Sequence, residues 1–400
     1  MGTAFDMIVV GARVAGAPTA MLLARLGYRV LVVDRAQFPS DTMSGHFVHP
    51  PGVAALERWG LANDLARTGC PPIREYRFDF GPVALRGVPH PAEGTATAYG
   101  PRRTVLDTLL VDAAARAGAE IRERFFVDDL LRDDGRVSGI RGHDEHGRPV
   151  EERAAIVVGA DGAHSPVARL VDAPFTLARP TLSATYYTYW SGVPTDGFEV
   201  YIRPWRSWGA VPTHDGLTML AISWPADEFG AVRRDVEGAY LGALDLAPAF
   251  AERVRGGRRE ARFVGTGSLP NFFRRPYGPG WALVGDAGYH KDPCTAQGIS
   301  DAFRDAELLS RAIDAYLGDG RPYEAAMAAY EQARDHAARP LFDLTCDLAT
   351  QTPAPPELQR LIGAAAGDQA ASDDFVSVLA GTLSPAAFFA PANVERLLQG

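Results

Sequence analysis

Lysine is almost missing from this chain: of 40 basic side chains in 400 residues, 39 are arginine and one, Lys291, is lysine. Compositional drift in an Ala- and Arg-rich chain accounts for such a residue without any role. A site that needs a compact ammonium accounts for it with one. Cysteine is scarce too. The three present, Cys70, Cys294 and Cys346, form no C-x-x-C pair, which excludes a disulfide framework or cysteine metal clip and fits a reduced, cytoplasmic protein. Positive charge is not in excess: the net charge of −9 argues against a nucleic-acid partner. The one basic cluster, "RVRGGRREAR" at 253–262, reads as a solvated helix end or turn. No apolar run approaches a membrane span, and "MGTAFDMIVVGA" has no basic region ahead of an apolar one, as a secretory signal would. His46 and His49 lack a third ligand, so no metal is expected. Monomer and homodimer both remain open.

What is present suffices for a large core. With 46% hydrophobic residues, the chain exceeds the size at which one core stops growing, and two lobes are expected. "DMIVV" (6–10) reads as a buried parallel strand. A glycine turn and a helix follow, with Pro18 in the first turn and Gly27 as a left-handed cap. "YRVLVVD" (28–34) is then the second strand of a βαβ unit. Residues 39–52 read as a polar loop, 74–86 as exposed sheet and 102–118 as a helix ending at Gly118. Strands with turns at "DDGR" and "HDEHGR" continue to about 162, and from 176 to 273 aromatic segments such as "ATYYTYW" suggest a second, mostly antiparallel sheet. "GWALVGDAG" returns to buried strand before a long helix capped near Gly318, and the last sixty residues read as helices and loops on the outside.

Gly11-Ala12-Arg13-Val14-Ala15-Gly16 occupies the place of a G-x-G-x-x-G turn, and Asp34 lies 23 residues beyond Gly11. In such a turn the first glycine makes the bend, the second admits a pyrophosphate, the third lets helix and strand pack, and the acid binds a ribose. The anion rests on the helix N-terminus. Here the second glycine is Arg13, which weakens the fingerprint. Its guanidinium starts beside two phosphates, but a side chain pointing to solvent is the slightly favoured reading.

Three further motifs accompany this one. "GADGAHSPVAR" (159–169) carries Asp161, Gly162, Ser165 and Arg169. "GDAGYHKDPCTAQG" carries Gly285, Asp286, Pro293 and Gly298. "RRTVLDTLL" supplies Arg103, three residues before Leu106. In this order and at these separations they resemble the FAD-dependent aromatic monooxygenases, the p-hydroxybenzoate hydroxylase-like (group A) family, over about residues 5–340. The resemblance implies an α/β fold: a Rossmann-like, glutathione-reductase-type FAD-binding domain with an inserted, mostly antiparallel substrate-binding sheet and a helical C-terminal segment. The expected division is 1–75, 98–175 and 276–340 for FAD, 76–97 and 176–275 for substrate, and 341–400 for the C-terminal helices.

The resemblance also implies roles. FAD would be held non-covalently, with Gly11 to Gly16 around its pyrophosphate, Asp34 on the adenosine ribose and Arg35 near the adenine. The backbone of Val127 would meet the adenine, Arg103 the phosphate or ribityl region and Asp286 the ribityl chain. Pro293 belongs to the same loop, and the turn at Gly298 and Ile299 would present N–H groups to the pyrimidine edge of the flavin, where a helix N-terminus stabilises negative charge. Asp161 is associated with FAD and NAD(P)H, though it also suits tying a loop together. NAD(P)H would reduce the flavin, and dioxygen would then oxygenate an electron-rich aromatic or polycyclic molecule, the flavin carrying the hard chemistry.

Candidates for catalysis are few. Lys291 lies between Asp286 and Gly298, near the flavin's reactive end, and as a loop residue it is expected outside the core. His46 lies in a loop the family places beside the flavin. Tyr187, Tyr189, Trp190, Trp205 and Trp208 offer faces to an aromatic substrate, and strand alternation lets only one or two of them line a pocket. Flavin-dependent halogenases of the same superfamily carry a catalytic lysine elsewhere in the chain and a tryptophan signature that "WRSWGAVP" matches loosely. Geranylgeranyl-reductase-like flavoproteins share the Gly11 and Asp286 motifs and reduce alkenes. A flavoprotein that binds an aromatic ligand without turning it over is the alternative from another class.

Overall fold

The computed structural model describes residues 5–399. Met1–Ala4, within the stretch read above for a leader, and Gly400 lie outside the described residues.

The first layer is a parallel sheet. β1 (Phe5–Val10) leads through a turn into α1 (Gly16–Arg25) and returns as β2 (Val30–Val33). Gly27 has φ +91, the left-handed cap expected of it. β1 pairs in parallel with β2 on one side and with the Pro149–Gly159 strand on the other. Trp281–Leu283 and Glu120–Arg122 extend the sheet on its two sides, also in parallel, and Tyr277–Gly278 adds an antiparallel edge beyond Trp281–Leu283. β1, β2 and the second half of the Pro149–Gly159 strand are largely apolar because both faces are covered. Met7, Val9, Val30, Val32, Ile156 and Val158 pack against helices that include α1, Arg103–Arg116 and Gly298–Leu317. Ile8, Val10, Leu31, Val33 and Val157 face the antiparallel meander of Phe126–Asp133 and Arg136–His143. Each fully buried side chain of this kind contributes roughly 1.5–3 kcal/mol, so the period-two alternation fixes the register.

The Pro149–Gly159 strand serves two partners. Its first half pairs antiparallel with Gly139–His143 and its second half runs parallel to β1.

The second sheet is mostly antiparallel, built on Ser183–Ser191, Thr218–Pro225, Arg206–Pro212 and Phe198–Arg203. Tyr76–Asp79 joins it in parallel, and Ala84–Gly87 lies at its edge. Alternation sorts the aromatics. Tyr187, Tyr189, Phe198, Val200, Val211 and Met219 share one face. Tyr186, Trp190, Tyr201, Trp208, Ile222 and Trp224 share the other, covered by helices Val236–Leu244 and Pro248–Gly256 through Tyr240, Phe250 and Val254. Those two helices are missing from the strand-based reading of 176–273. So is α2 (Pro50–Trp59), which begins inside the stretch read as a loop to residue 52. Prolines at the first helical positions start a helix as readily as they punctuate a loop, and here Pro50 and Pro51 start one.

Tyr323–Ala349 and four shorter helices close the chain. Leu361, Ile362, Val378 and Phe388 from the latter cover Leu85 of the second sheet. Among the described residues no helix is long and apolar enough to cross a membrane.

Candidate active site

A cavity of about 830 Å³ runs from the β1–α1 turn to the aromatic face of the second sheet. Its first wall is the turn itself. Gly11 has φ +102, and a Cβ there would stand 2.5 Å from the Ala160 carbonyl oxygen. A Cβ on Gly16 would stand 1.8 Å from the Gly11 carbonyl oxygen. Only glycine fits either place, so backbone and helix N-terminus close together around the space. Ala12 N–H donates to one Asp34 carboxylate oxygen at 2.7 Å and Ala36 N–H to the other at 2.8 Å. Each oxygen keeps a lone pair, which suits ribose hydroxyls. Arg35, exposed, and Val127, half-buried, border the same end.

Arg13 does not point to solvent. Its guanidinium donates to Asp107 at 2.6 Å, to the Ser40 carbonyl at 3.2 Å and to the Ser40 hydroxyl at 3.1 Å. Arg103 donates to the other Asp107 oxygen at 3.0 Å. Two guanidinium groups thus share one fully buried carboxylate, leaving one net positive charge beside the N-terminus of α1. That is the charge a pyrophosphate requires. The sequence reading missed Asp107, although its place four residues after Arg103 on a helix is the signal for it.

Asp161 is turned into its own loop. It accepts from the Ser165 hydroxyl and from Val167 N–H at 2.9 Å, while Ser165 caps the following helix through Ala168 N–H at 2.9 Å. Burial pushes its carboxyl up, against those hydrogen bonds. Arg169 donates to the His164 carbonyl at 2.6 Å. The Asp161 carboxylate ties the loop together, and Asp161 and Gly162 still border the cavity.

Asp286 is different: it is exposed on the cavity wall, in a turn whose Gly285 has φ +60 and would otherwise strike Ala15. Its carboxylate is thus presented to whatever occupies the space. Pro293, Gly298 and Ile299 follow on the same wall, where the twenty-residue Gly298–Leu317 helix begins. Gly298 is exposed, with open space where a Cβ would be. An anion site, a ribose acceptor, a free carboxylate for a polyol and a helix N-terminus therefore succeed one another along one cavity, and this donor set fits FAD.

Lys291 borders the cavity but is buried, contrary to its expected place outside the core. Its ammonium donates to the Tyr289 hydroxyl at 2.6 Å and pairs with Asp301. Arg304 pairs with Asp301 at 2.6 Å and with Asp305 at 2.7 Å. Burial would raise Asp301, but Lys291 and Arg304 together hold it below the usual carboxylate range; Asp305 is pushed up by burial. Two cations and two carboxylates form a balanced, buried cluster, invisible in the sequence except for its one lysine.

His46 stands where the cavity meets the second sheet, with φ +58 and no exposed surface. One ring nitrogen, Nε2, bonds the Tyr189 hydroxyl, and burial, with Arg103 and Arg102 nearby, lowers its pKa to about 3. Tyr187 lines the cavity, and Tyr189 lies on the same sheet face against His46. Trp208 borders the cavity while its ring stacks on Tyr201 on the far face, where Trp190 also packs; Trp205 is exposed on the outside. Phe198, Val200, Val211 and Met219, not singled out beforehand, complete the sheet wall. His49 is structural, bonded to the Tyr76 hydroxyl at 2.9 Å and the Thr295 carbonyl at 3.1 Å.

Residues 4–216, just over half of the chain, match the family model described as FAD binding domain. The menaquinone reductase of Mycolicibacterium smegmatis is 28% identical over 327 residues, 78% of this chain and 76% of that protein. The kynurenine 3-monooxygenase of Salinispora arenicola is 28% identical over 382 residues, 86% of this chain and 78% of that one. The structure of the myxobacterial chondrochloren halogenase CndH superposes with a TM-score of 0.81, covering 100% of this chain and 96% of its own, at 21% identity.

Proposed function

Because the chain belongs to the FAD-binding-domain family and is an FAD-dependent oxidoreductase, we propose that it is a monooxygenase using NAD(P)H and dioxygen to hydroxylate an aromatic or polycyclic small molecule. One observation carries the reading: the space that suits FAD is continuous with an uncharged aromatic wall. That wall (Tyr187, Phe198, Val200, Val211 and Met219) offers rings and branched aliphatics to a flat apolar ligand. When bound, FAD supplies the redox step. The chain's own task is to hold the ring against Tyr187 and Phe198, keep water out, and present the Gly298–Leu317 helix N-terminus where negative charge develops. The first sheet would carry FAD and the second the substrate.

Halogenation is disfavoured by a residue count. The single lysine is committed to Asp301 and Tyr289, and no other ammonium side chain exists. Reduction of an apolar polyene is the second reading, favoured by the likeness to a menaquinone reductase, since the same wall would hold a polyene.

The test is turnover of a panel of polycyclic phenols and apolar polyenes with NAD(P)H under ¹⁸O₂. A product carrying one ¹⁸O, with dioxygen uptake matched to product, supports the oxygenase. A product gaining two hydrogens without dioxygen would establish the reductase instead.

A further inference from the structure

We infer that His46 is a neutral hydrogen-bond donor, fixed in one tautomer by Tyr189, that binds an acceptor oxygen of an uncharged aromatic substrate. The inference deepens the proposed function and rests on its assignment of the sheet wall to the substrate.

Three observations converge. First, Nδ1 of His46 is buried and meets no protein acceptor in good hydrogen-bond geometry, the Ser44 backbone making only a weak contact with the ring, although the residue lines the cavity. A buried polar atom without a partner destabilises the fold unless a ligand supplies one. The backbone holds the ring there in a left-handed conformation, anchored by His46 N–H donating to the Ser44 hydroxyl at 3.2 Å.

Second, the other nitrogen decides the tautomer. Nε2 meets the Tyr189 hydroxyl, and a phenol is a stronger acid than an imidazole N–H, so the phenol donates. Burial pushes the Tyr189 phenol up, and the Arg102 guanidinium, 5.0 Å from the centre of its ring, acts against that rise. A neutral imidazole that accepts at Nε2 carries its proton on Nδ1.

Third, burial, with Arg103 and Arg102 beside the ring, keeps His46 neutral, and the sheet wall itself offers an anionic substrate no counter-ion. Arg103 and Arg102 face it, and His214 lies beyond. Arg103 shares Asp107 with Arg13, and Arg102 meets the exposed Asp215 at 3.6 Å while its Nε stays without a partner. Lys291 is paired with Asp301. The sheet residues that line the cavity carry no charge at all. A carboxylate placed against that wall would lose its water and find no counter-ion on the wall itself. A ketone, quinone or phenol oxygen would find the Nδ1–H.

The experiment titrates the FAD-loaded, oxidised protein with three probes and reads the flavin absorbance. The probes are 1-tetralone, which carries only an acceptor oxygen, tetralin, the same skeleton without it, and 1-naphthoate. Tetralone should bind about tenfold more tightly than tetralin, as the loss of one buried partner predicts, and more tightly than naphthoate. His46→Leu should erase the preference for tetralone. His46→Asn, which tolerates the left-handed backbone and places an amide N–H near Nδ1, should keep most of it. Tyr189→Phe should reduce it by freeing the ring proton to move to Nε2. Tetralone affinity should be flat from pH 5.5 to 8.5.

Equal affinity of the wild type for tetralone and tetralin would overturn the inference. So would tighter binding of naphthoate, or an affinity that titrates near pH 6.5, the ordinary imidazole value. None of these results bears on ¹⁸O incorporation, so an oxygenase that prefers anions would remain an oxygenase. Equally, an enzyme that binds tetralone as described but transfers no oxygen would retain the His46 assignment.

Discussion

Lys291 shows how far a single residue can be read. Its rarity drew attention to a loop that borders the cavity, yet its partner Asp301 sits ten residues on, brought back by the turn into the Gly298–Leu317 helix. The side chain is 4% exposed, so the ammonium is a buried ion-pair member and not a free charge beside the flavin. Removing one member of such a pair leaves the other uncompensated. Lys291→Met should therefore destabilise the protein by about 3 kcal/mol in urea unfolding with FAD present. Asp301 keeps Arg304, which softens the loss. Asp301→Asn in the Lys291→Met background should recover part of that loss, because the two residues form one unit. The same pair of variants reports on the cofactor. Lys291→Met adds one net negative charge near the site and should lower the flavin reduction potential by tens of millivolts, where about 30 mV corresponds to roughly 1.4 kcal/mol. The double variant should return toward the wild-type potential. Wild-type stability and potential in Lys291→Met would favour drift as the origin of this lysine.

Among the elements, the β1–α1 turn was the most legible, because Gly11, Gly16 and Asp34 act through backbone geometry that a short sequence window contains. Its Arg13 was not. The guanidinium reaches Asp107 across 94 residues, and nothing local announces that the Arg103–Arg116 helix passes there. Likewise His46 depends on Tyr189, 143 residues away. Composition marked 39–52 as polar and so hid the start of α2. The prediction at this scale concerns the apparent defect in the fingerprint. Arg13→Gly restores the glycine pattern, but it also cuts the tie between turn, helix and the Ser40 loop. A hydrogen bond to a charged group is typically worth about 1.5–3 kcal/mol. The variant should lose stability on that order and bind FAD roughly tenfold more weakly, as measured by urea unfolding and by fluorescence titration of the apoprotein. Tighter FAD binding in Arg13→Gly would show that the arginine merely obstructs the turn.

At the scale of the whole molecule, the two sheets and their covering helices follow from period-two apolar patterning, which is why the two-sheet architecture could be anticipated. What patterning cannot show is the protonation state of groups buried between the sheets. His49 joins the Tyr76 strand to the Thr295 turn through both ring nitrogens, and burial lowers its pKa to about 3. In the unfolded chain it titrates near 6.5. As pH falls below 6.5, the unfolded state takes up a proton that the folded state refuses until about pH 3, so stability falls with falling pH across that window. Once the unfolded imidazole is largely protonated, the slope is about 1.4 kcal/mol per pH unit for each such histidine. His46 adds a second contribution of the same sign, with a pKa also about 3. Buried Asp161, Asp292 and Asp305, whose carboxyls are raised, act in the opposite direction. The total slope therefore mixes several groups, whereas a difference between variants isolates one. His49→Gln retains groups that can bond Tyr76 and Thr295 but cannot be protonated. Unfolding free energies with saturating FAD, taken from pH 6 to 4.5, should decline less steeply in His49→Gln than in the wild type. The difference in slope should be about 1 kcal/mol per pH unit, approaching 1.4 at the acid end. Parallel curves would mean that His49 is already charged in the folded protein, and that the Thr295 carbonyl and Tyr76 hydroxyl stabilise an imidazolium.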